Sequence, residues 1–235
     1  ISSKSREMRQ WKKMVIPFLF AIPIIVIVGI ENLSTCIILL AISFIMIFVA
    51  TPLWVPFVVI GLIGVAGAGG LLLTQGYRME RITVWLDPAA SEKGHQTIQG
   101  LYAIGSGGLF GKGLGQSMQK LGFLPEANND MIFSVICEEL GLFGALCVLA
   151  LFFALIWRFM VIAVNAPDLY GSMIVVGVIA HIGIQVFINI AVATNTIPNT
   201  GIPLPFISYG GSSLVFMLLE MGLVLSVSRY INVKK

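Results

Sequence analysis

KLGFLPEANNDMIFSVICEELG, residues 120–141, changes character halfway along. It opens as a polar loop with Pro125, Glu126, Asn128, Asn129 and Asp130, then becomes an apolar helix carrying Glu138 and Glu139 below its mouth. The apolar run, 131–157, is longer than the roughly 20 residues that span a bilayer. Carboxylates at the lip and in the first turns of a membrane helix are costly, and such residues usually face a bundle interior or a water-filled cavity. Two expectations follow: a helical membrane protein, and a site at one membrane face.

Five further apolar runs lie outside this stretch, at 14–30, 33–50, 53–75, 171–197 and 212–228. Hydrophobic residues make up 57% of the chain and charged ones 11%, whereas soluble domains run roughly 45–50% and about 25%. The expected fold is an all-α polytopic membrane protein of about six transmembrane helices. Residues 1–235 form a single membrane domain, with a large extracytoplasmic loop, 76–130, between the third and fourth helices. A net charge of +3 is too small to point to nucleic acid. Cys36, Cys137 and Cys147 lie in apolar runs without a CxxC or a His cluster, so they read as small core residues, not disulfides or metal ligands.

Six passes leave both ends on one side. Lys4, Arg6, Arg9, Lys12, Lys13, Arg158, Arg229, Lys234 and Lys235 gather there, so the positive-inside rule makes both ends cytoplasmic. The chain opens ISSKSREMRQ, with no initiator Met and no signal peptide pattern, and is expected to be the later part of a longer protein. Glu31 and Asn32 alone join the first two runs, which implies a tight antiparallel pair. Gly61, Gly64, Gly67, Ala68, Gly69 and Gly70 in the third run suit close helix packing.

The outer loop holds more than linker. YRMERITVWL (77–86) sets Arg78 and Arg81 at i,i+3 with Ile82, Trp85 and Leu86 around the turn, as in a helix lying at a membrane surface with its cations near lipid phosphate, or in a loop helix with interfacial anchors. HQTIQGLYAIG (95–105) is a second short amphipathic piece. GSGGLFGKGLG (105–115) has six glycines and Lys112, but it is no P-loop: Ser106 stands where the first glycine belongs and Gly113 where Ser or Thr must follow the lysine. The dinucleotide fingerprint fails too, at Gln116. Two readings stand for this run: a structural turn, or a re-entrant turn whose free N–H groups and Lys112 meet an anionic head group.

Asp130 has two readings as well. Asn129 and Asp130 are favoured N-caps. Alternatively, Ser134, Cys137 and Gly141 share the Asp130 face and make a small, polar stripe suited to a cavity wall, with Glu138 about 80° off it and Glu139 pointing away. His181, Gln185 and Asn189 form a polar stripe suited to interhelical hydrogen bonds, and Glu220 near the middle of the last run needs a partner that the sequence does not name. NTIPNTGIPLPFISYGGSS (195–213) is a proline-stiffened loop whose Ser208, Tyr209, Gly210 and Gly211 lead into a helix N-terminus. It is either an anion-presenting loop or a rigid hairpin.

Taken together, YRMERITVWLDP, QGLYAIGSGGLFGKGLGQSMQKLGFLPEANNDMIFSVICEELGLFGA and NTGIPLPFISYGGSS resemble the SEDS family of bacterial wall proteins (shape, elongation, division and sporulation; the FtsW/RodA type). They lie in order and cover most of the chain after residue 76. The resemblance implies a ten-helix fold of which the six runs are helices five to ten. It also implies a peptidoglycan glycosyltransferase, closer to the division type, that polymerises lipid II at the outer face of the bacterial cytoplasmic membrane beside a class B penicillin-binding protein. The family's essential aspartate falls on Asp130, as catalytic base. Glu126 and Glu138 are supporting groups. Arg78, Arg81, Lys112 and Lys120 are the cations for the pyrophosphate of lipid II, with Lys112 first for its glycine setting. No resident cofactor is implied, and a divalent cation assisting pyrophosphate departure is left open. One departure stands out: where the family commonly has Pro-Asp-Leu-Gly-Thr, this chain has Glu31-Asn32-Leu33-Ser34-Thr35, so no catalytic role passes to Asn32.

Three function classes compete: glycan polymerase, lipid II flippase, and a scaffold that only recruits partners. The scaffold leaves the acids at the loop–helix junction unexplained. Acids and cations concentrated at one outer face favour the polymerase, while Glu220 and the His181 stripe keep transport in play.

Overall fold

The computed structural model describes residues 11–50, 76–91 and 94–231, with side chains from 21 in the first stretch and from 79 in the second. The third apolar run with its glycines, the basic residues of the first 13 positions, the Arg78 side chain, Lys234 and Lys235 lie outside these described residues or side chains. Every regular element among the described residues is helical: α1 Trp11–Glu31, α2 Leu33–Ala50, α3 Gly76–Leu86, α4 His95–Gly107, α5 Ile132–Val164, α6 Leu169–Ala193 and α7 Gly211–Ser228, with short 3-10 turns at Pro88–Ala90 and Gln119–Leu121. Four of them, α2, α5, α6 and α7, are long and apolar enough to cross a membrane, and the chain is an integral membrane protein of the expected all-helical class.

The described residues fall into two compact units. One draws on Ile1–Gly70, Ile156–Ile184 and Leu218–Lys235. Here α1 and α2 pack as the expected antiparallel pair, turning at Asn32, whose side chain accepts from Thr35 N at 3.1 Å. Asn caps a helix about as well as Asp, which gives this departure from the family pattern a local structural job. Asp168 caps α6 in the same way, through Gly171 N at 3.0 Å. In this unit His181 Nδ1 meets Glu220 Oε1 at 2.8 Å, the partner that the sequence left unnamed.

The other unit draws on Leu71–Leu155 and Gln185–Met217. Its core joins Leu124, Ala127, Met131, Val135 and Val192. Helix α5 runs past the expected end of its apolar run at 157, because nothing breaks it before Pro167. Helix α6 stops short of its expected end at 197, where Asn195 takes a left-handed φ of 54°. Inside α5, Gly141 leaves helical geometry altogether, at φ 67° and ψ −166°.

Candidate functional site

The loop before α5 is a stack of tight turns. Glu126 sits at φ 53°, and its carbonyl accepts from both Asn129 N (3.0 Å) and Met131 N (3.3 Å), while its carboxylate accepts from the Asn129 side-chain amide. This winding holds Asp130 in place with 8% exposure. Buried Asn189 of α6 donates from one amide nitrogen to Asp130 O and to Ile202 O, each at 2.8 Å, and so staples the loop before α5 to the proline-rich loop. Ser208 reinforces the join: its hydroxyl donates to Asn129 O at 2.6 Å and accepts from Leu204 N at 2.7 Å, and Tyr209 N donates to Asn128 O at 2.8 Å.

Asp130 opens onto a cleft of about 380 Å³ lined by Glu80, Arg81, Trp85, Gln96, Glu126, Asn195, Asn199 and Gly201 among others. That volume lies within the roughly 300–1,000 Å³ of small-molecule pockets. A chain of amides organises the wall. Gln96 Nε2 donates to Asp130 Oδ1 (3.3 Å), Asn199 Nδ2 to Gln96 Oε1 (3.0 Å), and Gly201 N to Asn199 Oδ1 (3.0 Å). Helix α3 closes over it, with Arg81 Nη1 on Asn199 O at 3.2 Å and Trp85 Nε1 on Asn195 O at 3.0 Å.

Burial pushes the Asp130 carboxyl above the usual carboxylate range, and the nearby Glu126 charge adds to this; its own backbone N–H, then Gln96 and Arg81, pull the other way. The capping alternative fails on geometry. The first helical amides, Ser134 N and Val135 N, bond to Met131 O, which puts Met131 and not Asp130 at the N-cap position, and the Asp130 carboxylate accepts from the Gln96 side chain. A retained carboxylate with raised proton affinity, in a polar cleft, is suited to taking a proton from a hydroxyl.

Other expected residues stand elsewhere. Lys112 Nζ pairs with Glu138 Oε1 and Lys120 Nζ with Glu139 Oε1, each at 2.5 Å. Glu138 is fully buried and also accepts from Ser117 Oγ (2.5 Å) and Gln119 N (3.3 Å), so it organises the loop 112–120 instead of lining the Asp130 cleft. Nor are the glycine-run amides free to meet an anion: Gly111 N, Lys112 N and Gly113 N donate to the carbonyls of Gly107, Glu138 and Glu139. The small stripe below Asp130 is filled by α4, whose Gly100 and Gly107 lie against Ser134 and Cys137, so the room for a substrate is in the cleft and not on that stripe. Gly210 and Gly211 begin α7. Among the described residues no three His, Cys, Asp or Glu side chains are arranged to hold one metal ion. Gln96, Asn189, Asn199 and Glu80 are the site residues that sequence reading missed. The polar stripe on α6 was a signal for Asn189 and the Asn-rich turn NTIPNT one for Asn199, though neither pointed to Asp130.

A model of the cell cycle protein family FTSW_RODA_SPOVE matches residues 1–233. Stage V sporulation protein E of Bacillus subtilis (strain 168) is 48% identical over 236 residues, covering 98% of this chain and 64% of that protein. A probable peptidoglycan glycosyltransferase FtsW of Geobacter sp. (strain M18) is 35% identical over 232 residues, covering 97% of this chain and 63% of that protein. Among solved structures, one described as structural coordination of polymerization and crosslinking by a peptidoglycan synthase complex superposes with a TM-score of 0.73 at 27% identity, over 93% of this chain and 62% of that one. The chain thus spans somewhat less than two thirds of the length of each.

Proposed function

This chain belongs to the FTSW_RODA_SPOVE family of cell cycle proteins, and on that premise we propose that it forms the working face of a peptidoglycan glycosyltransferase that polymerises lipid II. The observation that carries the proposal is Asp130: nearly buried, held through its carboxylate by Gln96, raised in proton affinity, and facing a polar cleft. In the reaction a sugar hydroxyl oxygen bonds to the anomeric carbon of a second lipid-linked sugar, the bond from that carbon to the lipid pyrophosphate breaks, and Asp130 accepts the hydroxyl proton. A positioned base of this kind is worth typically about 10²–10⁴-fold. Arg81, held at the rim by Asn199 O, supplies positive charge toward the departing pyrophosphate. Ser208 and Tyr209 act by locking the proline-rich loop onto residues 128–129.

The basic residues support an orientation with both chain ends cytoplasmic and residues 76–130 outside, in the bacterial cytoplasmic membrane. Likeness to a solved peptidoglycan synthase complex supports a class B penicillin-binding protein as partner. The decisive assay incubates the purified full-length protein and its Asp130→Asn variant with lipid II, with and without that partner, and reads glycan chains on a gel. Chains from the parent and none from the variant are expected. Full-length glycan from Asp130→Asn would remove Asp130 as the base.

The His181–Glu220 pair, set between two membrane-spanning helices, favours a second reading, a lipid II flippase. That reading takes the lead if no chains form with the partner present while lipid II appears across the membrane of reconstituted vesicles.

A further inference from the structure

The segment between α4 and the Asp130 loop carries apolar side chains where an aqueous loop would carry polar ones. Phe110 is 82% exposed and Leu114 77%, and Leu109, Met118, Leu121 and Phe123 are exposed with them. Its backbone is fastened into α5 at the Gly141 break. In an unbroken helix the carbonyls of Glu138 and Glu139 would accept from the amides four residues on, Leu142 and Phe143. Here Lys112 N and Gly113 N take those carbonyls (both 2.9 Å), while Leu142 N and Phe143 N donate to Gly108 O (2.9 Å) and Leu109 O (3.0 Å). The helix has exchanged two of its own hydrogen bonds for four with the loop. Contact is backbone on backbone: a Cβ on Gly111 would lie 2.1 Å from Glu139 O, and one on Gly141 would lie 2.4 Å from Gly111 N.

Depth follows from the helix register. Arg158 is the first charged residue after the apolar stretch of α5, and about 20 residues before it, the length of a bilayer core, stand Glu138 and Glu139. The loop tip is therefore bonded to α5 at the edge of the hydrocarbon. Leu142, Phe143 and Leu146, just beyond, are exposed on a helix long and apolar enough to span, and Leu109 and Phe110 extend that surface.

Two more features suit that depth. Irregular backbone in lipid must have its polar groups satisfied within the protein. Besides the amides at 112 and 113, Gly115 N and Ser117 N donate to the Glu139 carboxylate, Gln119 N to that of Glu138, and Lys120 N to Ser117 Oγ. Charges at such a level are held in pairs, as Lys112–Glu138 and Lys120–Glu139 are.

We propose that residues 108–123 form a wedge inserted into the membrane leaflet on the Asp130 side, with Leu109, Phe110, Leu114 and Leu121 among its acyl chains. Interfacial helices bury their apolar faces about 5–10 Å into the headgroup/acyl boundary, and the wedge is placed in that range.

The test uses the full-length protein in phosphatidylethanolamine–phosphatidylglycerol vesicles, with the exposed Cys147 changed to Ala. An NBD fluorophore is placed at Phe110→Cys or Leu114→Cys, with Leu146→Cys on α5 as the lipid-facing reference. Brominated acyl chains should quench the labels at 110 and 114 to at least half the extent seen at 146, and aqueous iodide should quench them several-fold less than it quenches the free dye conjugate. Strong iodide quenching without a bromolipid effect would place the loop in water and overturn the proposal. Protection from both quenchers would show a protein cover and overturn it equally. Leu121→Cys replaces any labelled variant whose melting temperature falls, since it reads the same wedge from its other end.

Discussion

At Asp130 two effects of opposite sign compete, and burial wins. A base must be unprotonated to act, so glycan synthesis should fall with decreasing pH through a value above the usual carboxylate range. Glu126 raises that value further by like-charge repulsion, so Glu126→Gln should move the acid limb of the pH–rate profile to lower pH. A limb that does not move would detach Asp130 or Glu126 from the rate. Stability has its own sign. The folded state binds the Asp130 proton more tightly than the unfolded chain does, so this contribution is present below the unfolded pKa and is lost as pH rises through the folded one. Asp130→Asn should therefore melt no lower than the parent at neutral pH while losing chain synthesis by about 10²–10⁴-fold. Asn189 behaves in the opposite way. Asn189→Ala leaves the buried carbonyls of Asp130 and Ile202 without their donor, at about 1–3 kcal/mol for an unsatisfied buried group. A lower melting temperature should accompany its lower activity.

At the level of elements, the loop 108–120 and the broken helix α5 form one device. Lys112, the first sequence candidate for a pyrophosphate cation, pairs with the fully buried Glu138, so its loss should weaken folding as well as any role in turnover. Removing one partner of a fully buried pair costs about 3–5 kcal/mol, but Lys112 is 36% exposed, so solvent screening and the serine and backbone donors that remain on Glu138 place Lys112→Ala below that range. Thermal melts in detergent should show the loss. Gly111→Ala and Gly141→Ala each force a side chain into a left-handed backbone, at φ 78° and 67°, costing about 1–2 kcal/mol before any clash. Both break the same backbone contact, so the double variant should be destabilised by less than the sum of the singles. Additive losses would mean the two glycines act independently.

For the whole molecule, the testable statement is its orientation. Ala89 is exposed within the Asp87-capped turn, Pro88–Ala90, that follows α3. With both chain ends cytoplasmic, Ala89→Cys in a Cys147→Ala background should react with a membrane-impermeant maleimide in intact cells. Labelling that needs lysis would invert the topology and put the Asp130 cleft on the cytoplasmic side of the membrane.

The helical membrane class was readable from residues alone, because spanning a bilayer imposes length and apolarity that composition cannot hide. α2 begins at Leu33, where the apolar run read at 33–50 begins, because Asn32 caps it. Asp130 was also readable, as a carboxylate where polar loop becomes apolar helix. What the linear order concealed is which polar groups meet. Glu126, Asp130 and Glu138 look alike along the chain, yet Glu138 turns to Lys112 while Asp130 turns to Gln96. Gln96, Asn189 and Asn199 are 34, 59 and 69 positions from Asp130 by their numbering, and no local pattern couples residues so far apart. The kink at Gly141 was hidden for the same reason. A glycine inside an apolar helix usually signals close packing, and only the docked loop, offering amides to the carbonyls of Glu138 and Glu139, makes breaking the helix there cost so little.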